Sequence, residues 1–243
     1  MPQTPSKYIP ALKFSLLTPV YDLVMQLTIR ELTIKRRLVE QMKLEKGHRV
    51  LDLGCGTATL TILIKKACPE AEVTGLDGDP KILEIARSKI EEAKLDIVLD
   101  QGMAFELPYP DSYFDRVVAS LVLHHLTHEN KMRAFGEVFR VLKPGGELHI
   151  ADFGKPHNIL MFLISLIFRH LEETSDNIRG LLHEMLCEAG FEQVKETARF
   201  MTVFGTLSLY RARKRMRPIP CGSGIHKAGF CFFGFIIFPI LFY

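Results

Sequence analysis

Short apolar blocks and longer amphipathic blocks alternate through the middle of this chain. Arg49–Leu53 is brief and apolar, as a strand buried on both faces should be, and it runs straight into Gly54-Cys55-Gly56. Thr59–Cys68 has helical spacing and Glu72–Leu76 reads as a strand. Pro80 stands where the first turn of a helix accepts proline, opening a helix over Lys81–Lys94, with Asp79 placed to cap it. The pattern then predicts a short strand at Asp96–Leu99, a polar turn around Pro108–Ser112 and a buried strand at Phe114–Leu121. A helix at Glu129–Leu142, stopped by Pro144-Gly145-Gly146, and a strand at Glu147–Ala151 complete the series. Strands alternating with helices of this length build βαβ units with right-handed crossovers. The expected fold class is therefore α/β, a doubly wound, mostly parallel sheet with helices on both faces.

The flanks follow other patterns. Tyr21–Met42 carries Leu23, Leu27, Leu38 and Met42 at helical spacing among basic residues, which predicts one or two amphipathic helices. After Asp152 come a strongly apolar helical run, Ile159–Phe168, a polar stretch, Glu172–Asn177, and a helix, Ile178–Ala189, ended by Gly190. Glu192–Thr197 and Thr202–Arg211 are β-rich and suit an antiparallel pair closing the sheet. The predicted organisation is an N-terminal helical segment at 1–46, a domain at 47–214 with a lid-like insertion at 155–177, and an atypical apolar tail at 215–243.

Composition adds a few exclusions. With 243 residues, 24% charged and 47% hydrophobic, the chain can bury a full core and is not a disordered protein. A net charge of +3 does not imply a polyanionic partner. The five cysteines are odd in number and lack CxxC spacing or neighbouring histidines, so neither a disulfide framework nor a metal site is expected, and a reducing, cytoplasmic setting fits. Met1–Lys13 lacks the charged-then-apolar pattern of a secretory signal, and no run reaches the roughly 20 apolar residues that span a bilayer.

The glycine turn carries the chemistry. Its glycines let the backbone fold tightly and let a ligand approach, as they would for a dinucleotide or another nucleoside. Charge separates these. Asp52, two residues before Gly54, would repel a pyrophosphate on the loop. It suits a ligand with a cationic ammonium and no phosphate, such as S-adenosylmethionine. Thr59 also stands where a dinucleotide fingerprint has its third glycine, which disfavours a nicotinamide oxidoreductase. Asp77, about twenty residues past the loop at the end of the second strand, is where an acid reaches ribose hydroxyls.

Taken together, VLDLGCGTATL, VTGLDGDPKILEIA, ELPYPDSYFDRVV, LVLHHL and VLKPGGELHI resemble the ordered motifs of class I S-adenosylmethionine-dependent methyltransferases of the ubiquinone/menaquinone-biosynthesis type. The match covers roughly Gly47–Gly154, and GLLHEMLCEAGFEQV is similar as well. The resemblance implies a Rossmann-like sheet of seven strands with the last antiparallel. It implies a donor site in which Asp52, Gly54, Cys55 and Gly56 hold the methionine end and Asp77 with Gly78 the ribose. Gly102, Met103 and Ala104 would border the adenine, and Ser120 is a further cofactor-binding candidate. One position departs from the family: Met103 stands where an acidic residue often accepts from the adenine amino group. Either apolar and backbone contacts hold the ring, or a neighbour such as Gln101 substitutes.

Methyl transfer from a sulfonium needs alignment and exclusion of water, and a base where the acceptor must lose a proton. His124 and His125 follow the fourth strand and Asp152 ends the fifth, which makes them the candidate catalytic residues; packing or capping the next turn is the plainer role for the histidines. Ile159–Phe168 is either a lid over a lipophilic small-molecule acceptor or an ordinary buried helix. No aromatic–basic interleaving points to nucleic acid. In the tail, the basic run Arg211–Arg217 followed by apolar Gly229–Tyr243 suits weak contact with a membrane surface, or is an atypical terminus without a role. A catalytically degenerate binding protein of the same fold is the alternative to an enzyme.

Overall fold

The computed structural model describes residues 31–168 and 174–216. Helix α1 spans Glu31–Met42. It is followed by β1 (Arg49–Leu53), α2 (Thr59–Ala67), β2 (Glu72–Asp77), α3 (Pro80–Ala93), β3 (Val98–Gln101) and β4 (Phe114–Ser120). A single 3-10 turn, Leu123–His125, leads to α4 (His128–Val141) and β5 (Leu142–Phe153). Helices α5 (Ile159–Phe168), α6 (Ser175–Arg179) and α7 (Leu182–Glu188) precede the hairpin of β6 (Phe191–Thr202) and β7 (Gly205–Lys214). The predicted N-terminal helix before Glu31, the polar residues Glu172 and Glu173, and the tail from Arg217 onward lie outside the described residues.

The seven strands form one sheet in the order β3-β2-β1-β4-β5-β7-β6. Neighbours from β3 to β5 pair in parallel, and β7 runs antiparallel to both β5 and β6. This is the Rossmann-like doubly wound arrangement anticipated from the alternating blocks. The chain winds outward from β1 through β2 to β3, then returns to place β4 on the other side of β1. That reversal opens a crevice at the carboxyl ends of β1 and β4, where ligands bind in open α/β sheets.

Strand residues alternate between two cores. Leu51, Leu53, Phe114 and Val117 pack toward α4 and α7 with Phe135, Leu182 and Leu186. Val50 and Val118 pack toward α1 and α2 with Leu38, Met42 and Ile64. Helix α1 is also pinned by polar contacts at its carboxyl end. Gln41 Nε2 donates to Tyr210 O (3.1 Å) and lies 3.1 Å from His149 Nδ1, while Arg116 Nε donates to Met42 O (2.9 Å). These anchors place the other end of α1, Glu31 to Lys35, over the carboxyl ends of the strands.

Three local expectations are corrected. Pro144-Gly145-Gly146 does not separate helix from strand. The helix ends at Val141, and β5 begins at Leu142 and passes through the triplet. A register shift between Phe114 and Arg116 absorbs it, because the partners jump from Leu142 to Glu147 and Gly145 adopts φ +80°. The single helix expected at Ile178–Ala189 is two, broken where Gly180 takes φ +80°. The short strand expected at Asp96–Leu99 lies two residues later, at Val98–Gln101, after a helix whose cap, Lys94, takes φ 54°.

Candidate active site

The glycine turn is tied to the strand beside it. Gly54 N and Cys55 N both donate to Leu76 O, at 2.8 and 3.0 Å. Gly54 adopts φ +68°, and a Cβ on it would sit 2.4 Å from Val122 Cγ2, so geometry and space both demand glycine. Gly56 (φ +54°) differs: nothing lies within 4 Å of its Cβ position, which leaves the outer surface of the turn open to a ligand. Its N–H donates to Asp77 Oδ2 (2.9 Å).

Ala58, a position the sequence reading passed over, caps α2 with φ 61° and ψ 20°, in the left-handed region. Its signal was visible as an alanine two residues beyond Gly56, in a turn made almost wholly of small residues. Cys55 is buried and its thiol is pushed up by burial, so it serves as a neutral wall against Gly75.

Asp77, at the end of β2, ties the glycine turn to the residue that caps α3. One oxygen accepts from Gly56 and the other from Asp79 N (3.0 Å), and burial raises its pKa against these donors. Asp79 takes the capping role, accepting from Lys81 N at 2.9 Å, which leaves Asp77 available for a ligand. Gly78, between them, is half-buried. At the exit of β3, Gly102 N donates to Asp77 O (3.0 Å), and Met103 and Glu106 close a small turn through Glu106 N to Met103 O (3.1 Å). Met103 is half-buried and Ala104 buried, while Gln101 is exposed.

Asp52 sits beneath the turn on the α1–α2 side. It is 1% exposed and accepts from Thr61 Oγ1 at 2.6 Å. Burial pushes its carboxyl up to about 6, with the Thr61 hydroxyl and the charge of Lys35 pulling the other way. Ser120 ends β4 half-buried and lines a recess with Glu31, Ile34, Lys35, Leu121, Ala151 and Leu207.

The second predicted group assembles on the opposite face of the sheet. His124 and His125 form the 3-10 turn after β4, with ring centroids 4.1 Å apart. His124, 5% exposed, places Nδ1 2.9 Å from Asp152 Oδ1 at the exit of β5. Asp152 is fully buried and also accepts from Leu123 N (2.8 Å), Phe153 N (2.7 Å) and Asn177 Nδ2 (3.2 Å). Burial alone would raise its pKa; the His124 contact and the two backbone donors outweigh it and hold the carboxyl below the usual range. Asn177, supplied by α6, is the partner the sequence reading did not identify, since no motif marks it.

The ten donor-side candidates thus converge on the carboxyl ends of β1 to β4, and the three catalytic candidates on the exits of β4 and β5. Helix α5 is not an ordinary buried helix over its first turns: Met161 is buried, but Ile159 (80%), Leu160, Phe162 and Leu163 are exposed. Among the described residues there is no group of three or more metal-ligating side chains, and no helix is long and apolar enough to cross a membrane.

Two carboxylates flanking an open glycine turn suit a nucleoside with a cationic end and oppose a pyrophosphate. Comparison with known proteins agrees. A methyltransferase domain family matches residues 50–146. Demethylmenaquinone methyltransferase of Listeria monocytogenes is 33% identical over 207 residues, covering 75% of this chain and 86% of the relative. The protein of the same name from Thermus thermophilus is 35% identical over 202 residues, covering 73% and 90%. Among solved structures, the YcgJ protein of Bacillus subtilis superimposes with a TM-score of 0.62 at 19% identity, over 76% of this chain and 99% of the other, a likeness of fold. The chain therefore belongs to the class I S-adenosylmethionine-dependent methyltransferases of the ubiquinone/menaquinone-biosynthesis type, and S-adenosylmethionine is its methyl donor.

Proposed function

We propose that this methyltransferase acts on a lipophilic, quinone-like small molecule, with His124 as the base. The observation that carries the reading is the buried His124–Asp152 pair at the exits of β4 and β5, with the exposed apolar start of α5 following β5 in the chain. An ionised Asp152 accepts from Nδ1–H, fixing the tautomer of His124 so that Nε2 is the basic nitrogen. A reduced quinone carries a ring hydroxyl whose proton such a base removes, raising electron density on the carbon to be methylated. S-adenosylmethionine, when bound, supplies the activated methyl group. The names of the Listeria and Thermus relatives, both demethylmenaquinone methyltransferases, favour this acceptor class over nucleic acid.

In this reading Asp52, Gly54, Cys55 and Gly56 hold the methionine end of the donor and Asp77 with Gly78 the ribose. Gly102, Met103 and Ala104 border the adenine, and Ser120 lies at the transferring end. His125 contacts the acceptor beside His124. The catalytic domain runs over 47–214, with 155–177 as a lid whose apolar side chains shield the acceptor from water.

The test is turnover of a short-chain reduced demethylnaphthoquinone by the full chain, with His124→Ala and His125→Ala in parallel. His124→Ala is expected to lower kcat by about 10²–10⁴-fold, the usual contribution of a positioned base. Unchanged turnover in both variants excludes the base. Absence of turnover of any quinol by the wild-type chain, with donor binding intact, excludes the acceptor class.

A further inference from the structure

One buried amide touches the His124–Asp152 pair and has no part in the reaction set out above. Asn177 is fully buried, and its Nδ2 donates to Asp152 Oδ1 at 3.2 Å. That is the oxygen His124 uses: Nδ1 lies 2.9 Å from it, and Phe153 N donates to it at 2.7 Å. The other oxygen, Oδ2, accepts from Leu123 N at 2.8 Å. Asn177 Oδ1, in contrast, is buried without a hydrogen-bond partner among the described residues. Burying one end of an amide unpaired costs the fold stability, so packing alone would favour an apolar side chain here. What the amide supplies in return is its contact with Asp152.

The element that carries Asn177 is held from outside. Helix α6 has five residues, too few to persist on its own backbone bonds. Its grip comes from α4: Asp176 Oδ2 accepts from Lys131 Nζ (3.3 Å) and lies 3.2 Å from His128 Nδ1, and the Lys131 side chain is fully buried. Gly180, at φ +80°, closes the other end, its N–H donating to Asn177 O at 3.0 Å. We propose that Asn177 is a positioning residue for the base, sharing Asp152 Oδ1 with His124, and that Lys131 and Asp176 hold it there. The inference rests on the reading of His124 as the base. A second donor on Oδ1 draws charge away from His124, so Asp152 orients the imidazole without binding its proton too tightly. Without that donor the oxygen is more negative toward His124, the imidazolium gains, and less neutral base remains at a given pH. The other titratable groups around the pair are His125 on the same turn and Tyr210 of β7, whose hydroxyl is raised chiefly by burial and also feels the charge of Asp152. Lys131, His128 and Asp176 stand behind Asn177.

The experiment follows one titration in two ways on the full chain. The first is the pH profile of kcat/KM with a short-chain reduced demethylnaphthoquinone. The second is NMR titration of labelled histidine, with His124 assigned by the signals lost in His124→Ala. Asn177→Leu keeps the size and removes the donor. It is expected to move the acid limb of the profile and the His124 midpoint upward together by about 0.5–1 pH unit, lowering kcat/KM about three- to tenfold on the acid side and leaving the alkaline plateau within about twofold. Asp176→Asn leaves the amide in the chain and loosens its carrier; it should move both in the same direction by less, and add nothing to Asn177→Leu in the double variant. A merely structural residue lowers Tm, or kcat/KM at every pH, and leaves both midpoints in place. That result in Asn177→Leu, or in Asp176→Asn should the first variant not fold, would overturn the inference, and so would a downward shift. Unchanged turnover in His124→Ala would instead remove the base on which the inference stands; the NMR midpoint, which needs no turnover, keeps the two failures apart.

Discussion

Replacing Asp52 by asparagine should make the protein more stable and a poorer binder of its donor. The carboxyl is 1% exposed, and burial raises its pKa from 3.8 to about 6. At about 1.4 kcal/mol per unit, the ionised group costs the apo fold about 3 kcal/mol at neutral pH. The sign follows from proton counts. Between 3.8 and 6 the folded state holds a proton that the unfolded state has lost, so stability falls as pH rises through this window. The penalty is complete above 6, about half developed at pH 5, and absent well below 3.8. Asparagine keeps an oxygen to accept from Thr61 Oγ1 and carries no charge. Chemical denaturation at pH 8 should therefore show Asp52→Asn more stable by about 3 kcal/mol, or by about 6–12 °C in Tm for a chain of this size. The gap should shrink by about half at pH 5. The same variant should bind S-adenosylhomocysteine at least tenfold more weakly at pH 8. A variant no more stable than the wild type at pH 8, or a gap that ignores pH, would refute the reasoning.

Three further perturbations test the frame around that group. Ala58→Gly relieves a left-handed alanine (φ 61°) and should stabilise by about 1 kcal/mol, read as a shift in denaturation midpoint at constant slope. Gly54→Ala meets both a φ of +68° and the Val122 side chain at 2.4 Å, and should cost about 3–4 kcal/mol. Adding Val122→Ala should recover part of that loss, so the pair must couple in a double-mutant cycle. Asp152→Asn removes a carboxylate held by four donors and should cost about 3 kcal/mol at pH 7. Because the folded-state pKa of Asp152 is depressed, its contribution is present above the unfolded value and is lost as pH falls through the folded one; the deficit of the variant should therefore narrow on acidification.

Much of this architecture could be read from the chain because its signals are local. The short apolar runs and the helical-period blocks gave the alternation, and Asp79 before Pro80 gave a cap that forms as drawn. Asp52, Gly54, Gly56 and Asp77 could be placed because a strand end, a tight turn and a charge constrain one another within thirty residues. What the sequence hid was set by distant contacts. Nothing in Pro144-Gly145-Gly146 announces that Phe114 and Arg116 will absorb the triplet as a register shift. Gly180 breaks a helix that propensity alone would continue, and its neighbour Asn177 then reaches Asp152 across 25 residues. The partial burial of the Glu31–Lys35 ion pair, with side chains 15% and 12% exposed, is likewise invisible in an amphipathic run. It depends on Gln41 and Arg116 fixing the helix from its other end.

Under the proposed function, the two buried aspartates at the carboxyl edge of the sheet would separate donor binding from proton transfer. Both are essentially inaccessible, at 1% and 0% exposure, yet their environments drive them in opposite directions. Asp152 is surrounded by donors: an imidazole, two backbone N–H groups and an amide. With four partners in place its carboxyl is held below the usual range, which in the proposed reading lets it orient His124 without changing protonation. Asp52 has the Thr61 hydroxyl and a distant lysine, which do not offset its burial. A carboxylate kept short of donors in this way gains most from a ligand that brings a positive charge, and the gain is largest where the apo penalty is largest. In the proposed reading the instability stored at Asp52 would return as affinity for the cationic end of the donor. The donors packed around Asp152 would likewise give the proposed base, His124, a fixed axis. Interchanging the two environments, rather than deleting either residue, would be required to swap their roles.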